Sequence, residues 1–115
     1  EEGLPLPPFN LPGCVWERTL MMICVFPTSK DAETNRKYRK ALLRLIAESA
    51  KRGWGEYRTP VAYYDAVMET YSFGNHALRR FHETVKDALD PNGIISPGRY
   101  GIWPRRNRKS GGSAG

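Results

Sequence analysis

Apolar residues follow two different periodicities along the chain. An unbroken apolar run, residues 20–26, ends at Pro27, and a run this short is typical of a strand that is buried on both faces. Cys24 lies inside the run and is expected to be a small core residue. Apolar residues then recur at helical spacing from Tyr38 to Ala50, while the opposite face carries Lys and Arg, which predicts an amphipathic helix.

Turn-forming residues mark where these elements begin and end. Ser29 and Asp31 are suitable N-caps for the helix, and Gly53 is suited to its C-terminus. An extended segment, residues 56–59, is then expected before Pro60. The order strand, helix, strand is half of a split αβ sandwich, so its sheet edges and one face of its helix are expected to need further chain.

Helical periodicity returns after the second predicted strand. Apolar residues repeat at helical spacing over residues 61–71 and again over residues 78–89. Residues 74–75, Gly-Asn, interrupt the pattern between the two stretches, and the Asn is suited to cap the second helix. Residues 90–93, Asp-Pro-Asn-Gly, and 96–98, Ser-Pro-Gly, are turn signals. Two C-terminal helices followed by a tightly turned loop are therefore expected.

The composition bounds the class of protein. The chain has 115 residues, enough for one small domain. With 40% apolar and 26% charged residues it is typical of a globular protein and not of a disordered or membrane protein. Its two cysteines provide neither a disulfide framework nor a metal cluster.

The net charge of +6 is concentrated at one end of the chain. Residues 105–115 combine basic residues with a Ser- and Gly-rich stretch, which predicts a disordered basic tail. The basic residues of this tail are Arg105, Arg106, Arg108 and Lys109. Without them the remainder is nearly balanced, so the charge alone does not indicate a polyanionic partner. The start at Glu1, without an apolar signal core, favours a longer polypeptide upstream.

The tripeptide Glu56-Tyr57-Arg58 is the first candidate for chemistry. Tyr57 supplies a phenol donor and Arg58 a permanent cation, which together suit an anionic oxygen such as a phenolate or a carboxylate. Adjacent residues of a strand point to opposite faces unless the strand ends there. The alternative, an interface Tyr beside an Arg that pairs with Glu56 or Glu69, remains open at this point.

The loop after the last helix is the second candidate. Gly98 permits a close approach of the backbone to a flat or charged ligand, and Arg99 is placed to meet a negative oxygen of that ligand. A rigid surface loop with an unpaired Arg is the alternative. His76 and His82 have no further ligands at metal-binding spacing, so no metal is expected.

Several of these segments resemble the C-terminus of the vanillyl-alcohol oxidase family of FAD-linked oxidases, which includes eugenol oxidase and 4-cresol methylhydroxylase. The resemblance runs from about Arg18 to Pro104 and is densest after Gly53. Residues 90–99 resemble a stretch shared with other flavin-linked oxidases. The Glu-Tyr-Arg motif and the Gly-Ile-Trp-Pro sequence at 101–104 resemble the phenol-oxidising branch more specifically.

The resemblance implies an α+β architecture divided between two domains. Residues 18–59 would be the last part of a ferredoxin-like cap, or substrate, domain. Residues 60–104 would be C-terminal helices and a flavin-approaching loop that return to an FAD-binding domain. Outside these, residues 1–17 are expected to be an extended Pro-rich connector, and residues 105–115 the disordered tail.

The resemblance also implies the chemistry of the site. Tyr57 would hold the phenolic oxygen of the substrate, and Arg58 would stabilise both the phenolate and the reduced FAD. Gly98 and Arg99 would contact FAD. A para-alkyl phenol would lose its proton and then a hydride, leaving a quinone methide. The residue that attaches the flavin covalently in the family would lie upstream, so this chain alone is not expected to be active.

The implied partners are a small phenolic substrate and either oxygen or a cytochrome as electron acceptor. Neither nucleic acid nor a membrane is expected, and the full-length protein is expected to be a cytoplasmic or periplasmic homo-oligomer. An FAD-linked 2-hydroxy-acid dehydrogenase of the same superfamily is one alternative. A stand-alone basic module that binds nucleic acid is the alternative from another class.

The two classes predict different behaviour of the isolated chain. A nucleic-acid-binding module would be a cooperatively folded monomer whose affinity for DNA or RNA falls with salt. A piece of a flavoenzyme is expected to be unstable or to aggregate, and not to hold flavin. A thermal melt combined with a binding titration at two salt concentrations distinguishes them, and a sharp melt with salt-sensitive binding would contradict the flavoenzyme interpretation.

Overall fold

The computed structural model describes residues 3–4 and 9–108. Its strands and α-helices are β1 (Phe9–Trp16), β2 (Thr19–Val25), α1 (Ala32–Lys51), α2 (Tyr64–Thr70) and α3 (Phe73–Leu89), and short 3-10 turns cover Val61–Tyr63, Arg99–Gly101 and Arg105–Asn107. The chain is therefore α+β, as predicted. It divides into two compact units, residues 1–45 and 46–115. This division falls inside α1 and differs from the predicted domain boundary after residue 59.

The first unit is built on an antiparallel hairpin. β1 pairs with β2 with a register irregularity between Pro12 and Val15. Gly13 lies at this irregularity, and a Cβ added there would collide with the carbonyl oxygen of Met21. A side chain would therefore force the two strands apart, which explains the glycine.

The hairpin corrects three expectations from the sequence: that residues 9–16 belong to a connector, that β2 is buried on both faces, and that Cys24 is a core residue. Part of the predicted connector, residues 9–16, is a strand. β2 is not buried on both faces, because Leu20, Met22 and Ile23 are each more than half exposed and Cys24 is exposed as well. The physical reason is that a two-stranded ribbon has no second layer of its own to cover its faces.

The third element of the predicted strand, helix, strand order is also absent. Within residues 52–108, all of which the structure describes, no strand is present, and residues 56–59 form a bend and an irregular segment. The strand that pairs with β2 precedes it in the chain instead of following α1. The observed order is strand, strand, helix, so the expectation of a second strand at 56–59 was wrong.

α1 begins and ends at the residues that the sequence indicated. The Asp31 carboxylate accepts the backbone N–H of Glu33 at 3.3 Å and of Thr34 at 2.7 Å, which makes Asp31 the N-cap. A hydrogen bond from the Thr34 side chain, together with these two from the backbone, lowers the pKa of Asp31. The predicted helix and its N-terminal signal are therefore confirmed.

A Schellman motif closes the other end of α1. Gly53 adopts a φ of +74°, and its N–H donates to the Ala50 carbonyl at 2.9 Å. The next N–H, that of Trp54, donates to the Ser49 carbonyl at 3.0 Å. This pair of bonds satisfies carbonyls that have no partner inside the helix.

The second unit places its small core between α2 and the loop that follows α3. Val67 and Met68 are the buried residues of α2. Gly101 packs directly on this helix, since a Cβ added there would lie 2.8 Å from the Met68 Cβ. Pro104 is fully buried. The loop is therefore packed against α2 and does not extend freely into solvent.

Both predicted C-terminal helices are present, with the expected interruption between them. Gly74, Asn75 and His76 each have a φ of 55°, so regular helical geometry starts only after them. The guanidinium of Arg80 donates to the backbone carbonyls of Gly74 and Asn75, which satisfies oxygens that the left-handed turn leaves outside the helical ladder.

The predicted disordered tail is corrected over its first four residues. The backbone N–H of Arg105 donates to the Asp87 carboxylate at 3.1 Å, and the Arg108 guanidinium donates to the same oxygen at 2.8 Å and to the Glu83 carbonyl at 3.2 Å. Acidic residues on α3 thus anchor this segment. Lys109 and the rest of the predicted tail lie outside the described residues.

Replacing Gly53 with Ala should destabilise the C-terminus of α1. An L-residue with a Cβ pays about 1–2 kcal/mol to adopt a left-handed conformation, so the free energy of unfolding should fall by that order. Denaturant unfolding followed by circular dichroism measures it. Lys40→Ala, an exposed change on the same helix, should shift stability by less than about 0.5 kcal/mol; equal effects of the two changes would contradict the capping role.

Candidate functional site

The second unit contains an open, largely apolar cavity of about 750 Å³. This volume is in the range of small-molecule sites in proteins. Its walls come from the segment after α1, one face each of α2 and α3, and the loop after α3. The lining residues are Gly55, Glu56, Tyr57, Tyr64, Val67, Met68, Tyr71, Leu78, His82, Val85, Lys86, Leu89, Asp90, Ile95, Ser96, Arg99, Tyr100 and Ile102.

Two of the four predicted site residues line this same cavity. Tyr57 contributes from the segment after α1 and Arg99 from the loop after α3, so folding brings together residues that are far apart in sequence. Tyr57 is 68% exposed, so its phenol is accessible. Arg58 is not among the lining residues, but its guanidinium carbon lies 5.9 Å from the centre of the Tyr57 ring.

Within residues 9–108, the Arg58 guanidinium is not used in a salt bridge. Glu69, one candidate partner, binds Arg79 at 2.6 Å, and Glu56 forms no salt bridge with Arg58. In the part of the chain that the structure describes, Arg58 has no carboxylate within ion-pairing distance. The alternative of an interface ion pair is therefore not what is observed, and an exposed cation remains next to Tyr57.

Arg99 is a second exposed cation beside an aromatic ring. Its guanidinium carbon lies 5.4 Å from the centre of the Tyr100 ring, and it also lines a smaller cavity of about 230 Å³. No carboxylate among residues 9–108 pairs with it. Its charge is therefore available to an anionic ligand, the property that the sequence analysis assigned to it.

Gly98 is required for a reason that the sequence did not reveal. It has a φ of +79°, and a Cβ added to it would lie 2.5 Å from the indole ring of Trp103. The space beside its Cα is thus filled by Trp103 of the same loop. This packing alone explains the glycine, and the role of Gly98 toward a cofactor stays a prediction.

Glu56 lines the cavity next to Tyr57 and is partly buried. The loss of solvent around its carboxyl group raises the pKa of Glu56 above its ordinary value. This shielding is local to Glu56, because the neighbouring Tyr57 and Arg58 side chains are exposed.

Three contacts from α2 fix the two sides of the cavity. Tyr71 Oη donates to the Glu56 carbonyl at 3.0 Å, beside Tyr57. At the other end of the helix, Trp103 Nε1 donates to the Asp65 carboxylate at 2.9 Å, and the rings of Tyr64 and Tyr100 stack with centres 4.9 Å apart. α2 therefore holds both the segment that carries Tyr57 and the loop that carries Arg99.

A buried ion pair shapes the turn after α3. Lys86 Nζ lies 2.6 Å from the Asp90 carboxylate, and the same carboxylate accepts the N–H groups of Ile94 and Ile95, both at 2.9 Å. The hydrogen bond from Lys86 and these two N–H groups lower the pKa of Asp90 to about 2. Sequence reasoning missed this pair, although its i, i+4 spacing next to Pro91 was a signal.

The two histidines lie in different environments. His82 is exposed and lines the cavity, while the Nδ1 of His76 is buried without a hydrogen-bond partner. Across the described residues, no group of His, Cys, Asp and Glu is arranged to hold a metal ion. Nor does any helix described here combine the length and apolar character that crossing a bilayer requires.

Comparisons with known proteins give a consistent relationship. No family model matches the chain. The flavoprotein subunit of 4-cresol dehydrogenase (hydroxylating) from Pseudomonas putida is 36% identical over 58 residues, which is 50% of this chain and 11% of that protein. A structure of 4-ethylphenol oxidase from Gulosibacter chungangensis, in complex with isoeugenol, matches with a TM-score of 0.66 and 49% identity over 68% of this chain.

Over the matched region, the chain is homologous to the vanillyl-alcohol oxidase family. The resemblance predicted from the sequence is thereby confirmed. The chain spans only 11% and 15% of the lengths of these two family members. The relationship therefore concerns a part of the family's polypeptide.

The Asp90 carboxylate should make the stability of the protein depend on pH in the acid range. A folded-state pKa of about 2, below the ordinary 3.8, means that Asp90 stabilises the fold above about pH 4 and that this contribution is lost as pH falls toward 2. Melting temperatures of wild type and Asp90→Asn should therefore differ clearly at pH 6 and converge near pH 2.

Glu17→Gln provides the matched control, because Glu17 is an exposed acid in the turn between β1 and β2. Its melting temperature should follow wild type at both pH values. A difference between wild type and Asp90→Asn that stays constant from pH 6 to pH 2 would contradict the ion pair.

Proposed function

We propose that this chain is the C-terminal part of an FAD-dependent oxidoreductase that oxidises para-substituted phenols by hydride transfer through a quinone methide. Both relatives are named for the oxidation of a phenol, and one is named as a flavoprotein. The observation that carries the proposal is that Tyr57 and Arg99 line one cavity. The guanidinium of Arg58, which pairs with no carboxylate of residues 9–108, lies beside Tyr57.

In the proposed mechanism, the substrate ring occupies the apolar cavity with its oxygen toward Tyr57. The Tyr57 hydroxyl donates a hydrogen bond to that oxygen, and the positive charge of Arg58 favours its ionised form. Tyr57 and Arg58 are exposed in the unliganded chain, and in the proposed complex the bound ring displaces water from them, which makes both interactions stronger than they would be in water.

The proposed reaction is balanced in protons and electrons. The phenol first loses its O–H proton to solvent, and the phenolate then loses a hydride from the alkyl carbon that is attached to the ring at the para position, which leaves a neutral quinone methide. Bound FAD supplies the hydride acceptor. Oxygen or a cytochrome is proposed to take the electrons afterwards.

The residues present fit one part of this cofactor. Arg99 offers a cation with no carboxylate partner within residues 9–108, which suits an anionic oxygen. Residues for the diphosphate and the covalent attachment are proposed to lie in the preceding polypeptide. In the same proposal, residues 18–59 end a cap domain and residues 60–104 return to the FAD-binding domain.

The alternatives are less well supported by the contacts. Nucleic-acid binding would use the basic segment from residue 105, but the Arg108 side chain is engaged by Asp87 and Glu83. Oxidation of a 2-hydroxy acid remains the closer alternative, because two exposed arginines also suit a carboxylate. Turnover of a 2-hydroxy acid without turnover of any phenol would favour it.

Removing the Arg58 charge should slow phenol oxidation by the full-length protein. Loss of a charge that stabilises a developing anion in a shielded site costs about 100- to 1000-fold in rate, so kcat/KM of Arg58→Ala on a para-alkyl phenol should fall by that order. Arg36→Ala, which removes an exposed guanidinium from α1, should leave the rate unchanged. An unaffected rate in Arg58→Ala would remove Arg58 from the mechanism.

A further inference from the structure

The Tyr71 hydroxyl touches the backbone directly before the two proposed substrate-binding residues. Its Oη donates to the Glu56 carbonyl at 3.0 Å. A Cβ added to Gly55 would lie 2.9 Å from the same Oη, so the close approach depends on a glycine at this position. Tyr71 therefore fixes the backbone at residues 55 and 56 from the side of α2.

This hydrogen bond joins the end of α2 to one side of the cavity, and other residues of the helix contact the other side. Tyr71 is the residue that terminates α2. At the start of the helix, Asp65 accepts from Trp103. Further along, Met68 packs on Gly101 in the loop that carries Arg99. A group held on rigid, well-packed elements keeps its geometry more accurately than one on a free loop.

We infer that Tyr71 is a positioning residue for the phenol site, acting through the Glu56 carbonyl to hold Tyr57 at the cavity wall and Arg58 beside it. The inference rests on the proposed function and deepens it. Tyr71 itself need not touch the substrate oxygen. Residues 56–59 are not paired with a strand, and the hydrogen bond from the Tyr71 hydroxyl is a fixed contact that holds them. Removing the hydroxyl removes this contact.

Loss of the Tyr71 contact should weaken the electrostatic stabilisation of a bound phenolate. A looser Tyr57–Arg58 segment places its donor and its cation less closely around a phenolate oxygen, and the stabilisation of the anion falls with distance. Tyr71→Phe keeps the ring and removes only the donor. The phenolate form of a bound ligand should therefore be favoured less in this variant than in the unaltered protein.

A nitrophenol, whose phenolate is coloured, measures this directly in the full-length protein without turnover. In Tyr71→Phe the apparent pKa of the bound nitrophenol should rise by up to about one unit, which corresponds to a tenfold weaker preference for the phenolate. Thr70→Val is the matched control, because it removes a hydroxyl whose 2.7 Å hydrogen bond to the Val67 carbonyl lies within α2. It should leave the bound pKa unchanged.

Gly55→Ala tests the same contact from the other side. The added Cβ should collide with the Tyr71 hydroxyl and produce a similar shift. In the double variant with Tyr71→Phe the colliding oxygen is gone, so the two effects should not add. Additive shifts would overturn the inferred contact.

The outcomes separate this inference from the proposed function. Normal binding with an unshifted pKa in Tyr71→Phe would overturn the role of Tyr71 alone. If the unaltered protein bound no nitrophenol, the proposed function would fail and the substrate-positioning role with it. Hydrogen exchange at the amides of residues 56–58 tests the contact itself: faster exchange in Tyr71→Phe than in Thr70→Val supports it, and equal exchange overturns it.

Discussion

The attachment of α2 to two separate segments is the constraint on which the candidate site depends. One end of this short helix binds the backbone at Glu56, and the other end is held by Trp103 and by close packing on Gly101. Neither segment has regular strand or helix geometry of its own near Tyr57 or Arg99 beyond a short 3-10 turn. Their relative position therefore derives from side-chain contacts with α2.

The charges around the cavity divide into those that are used by the fold and those that are not. Lys86 and Asp90 neutralise each other and tie down the turn after α3, and Arg108 is held by acids on the same helix. Arg58 and Arg99 have no such acid in the described part of the chain. Arg58 and Arg99 are instead exposed cations that each lie beside an aromatic ring.

The local elements of the fold were predictable because their signals are local. The N-cap at Asp31, the glycine stop at Gly53 and the interruption at residues 74–76 each depend on a few neighbouring residues, and each is present in the structure. The resemblance in the Glu-Tyr-Arg and Pro-Gly-Arg segments also led correctly to the vanillyl-alcohol oxidase family over the matched region.

The errors arose where distant residues decide the outcome. β1 was expected to be a connector because proline is rare in strands, yet an edge strand tolerates it. Residues 56–59 were expected to be a strand, but the Glu56 carbonyl is taken by Tyr71, a contact 15 residues away. The anchoring of Arg108 on Asp87 spans 21 residues. The spacing of apolar residues within one segment does not indicate such contacts between distant residues.

A structure of the full-length protein with a para-alkyl phenol bound would show directly whether Tyr57 and Arg58 hold the substrate. The phenolic oxygen should lie within hydrogen-bonding reach, about 3 Å, of the Tyr57 hydroxyl with the Arg58 guanidinium beside it, while Arg99 should face the cofactor from the loop after α3. A phenol bound elsewhere, with Tyr57 and Arg58 both in solvent, would contradict this arrangement.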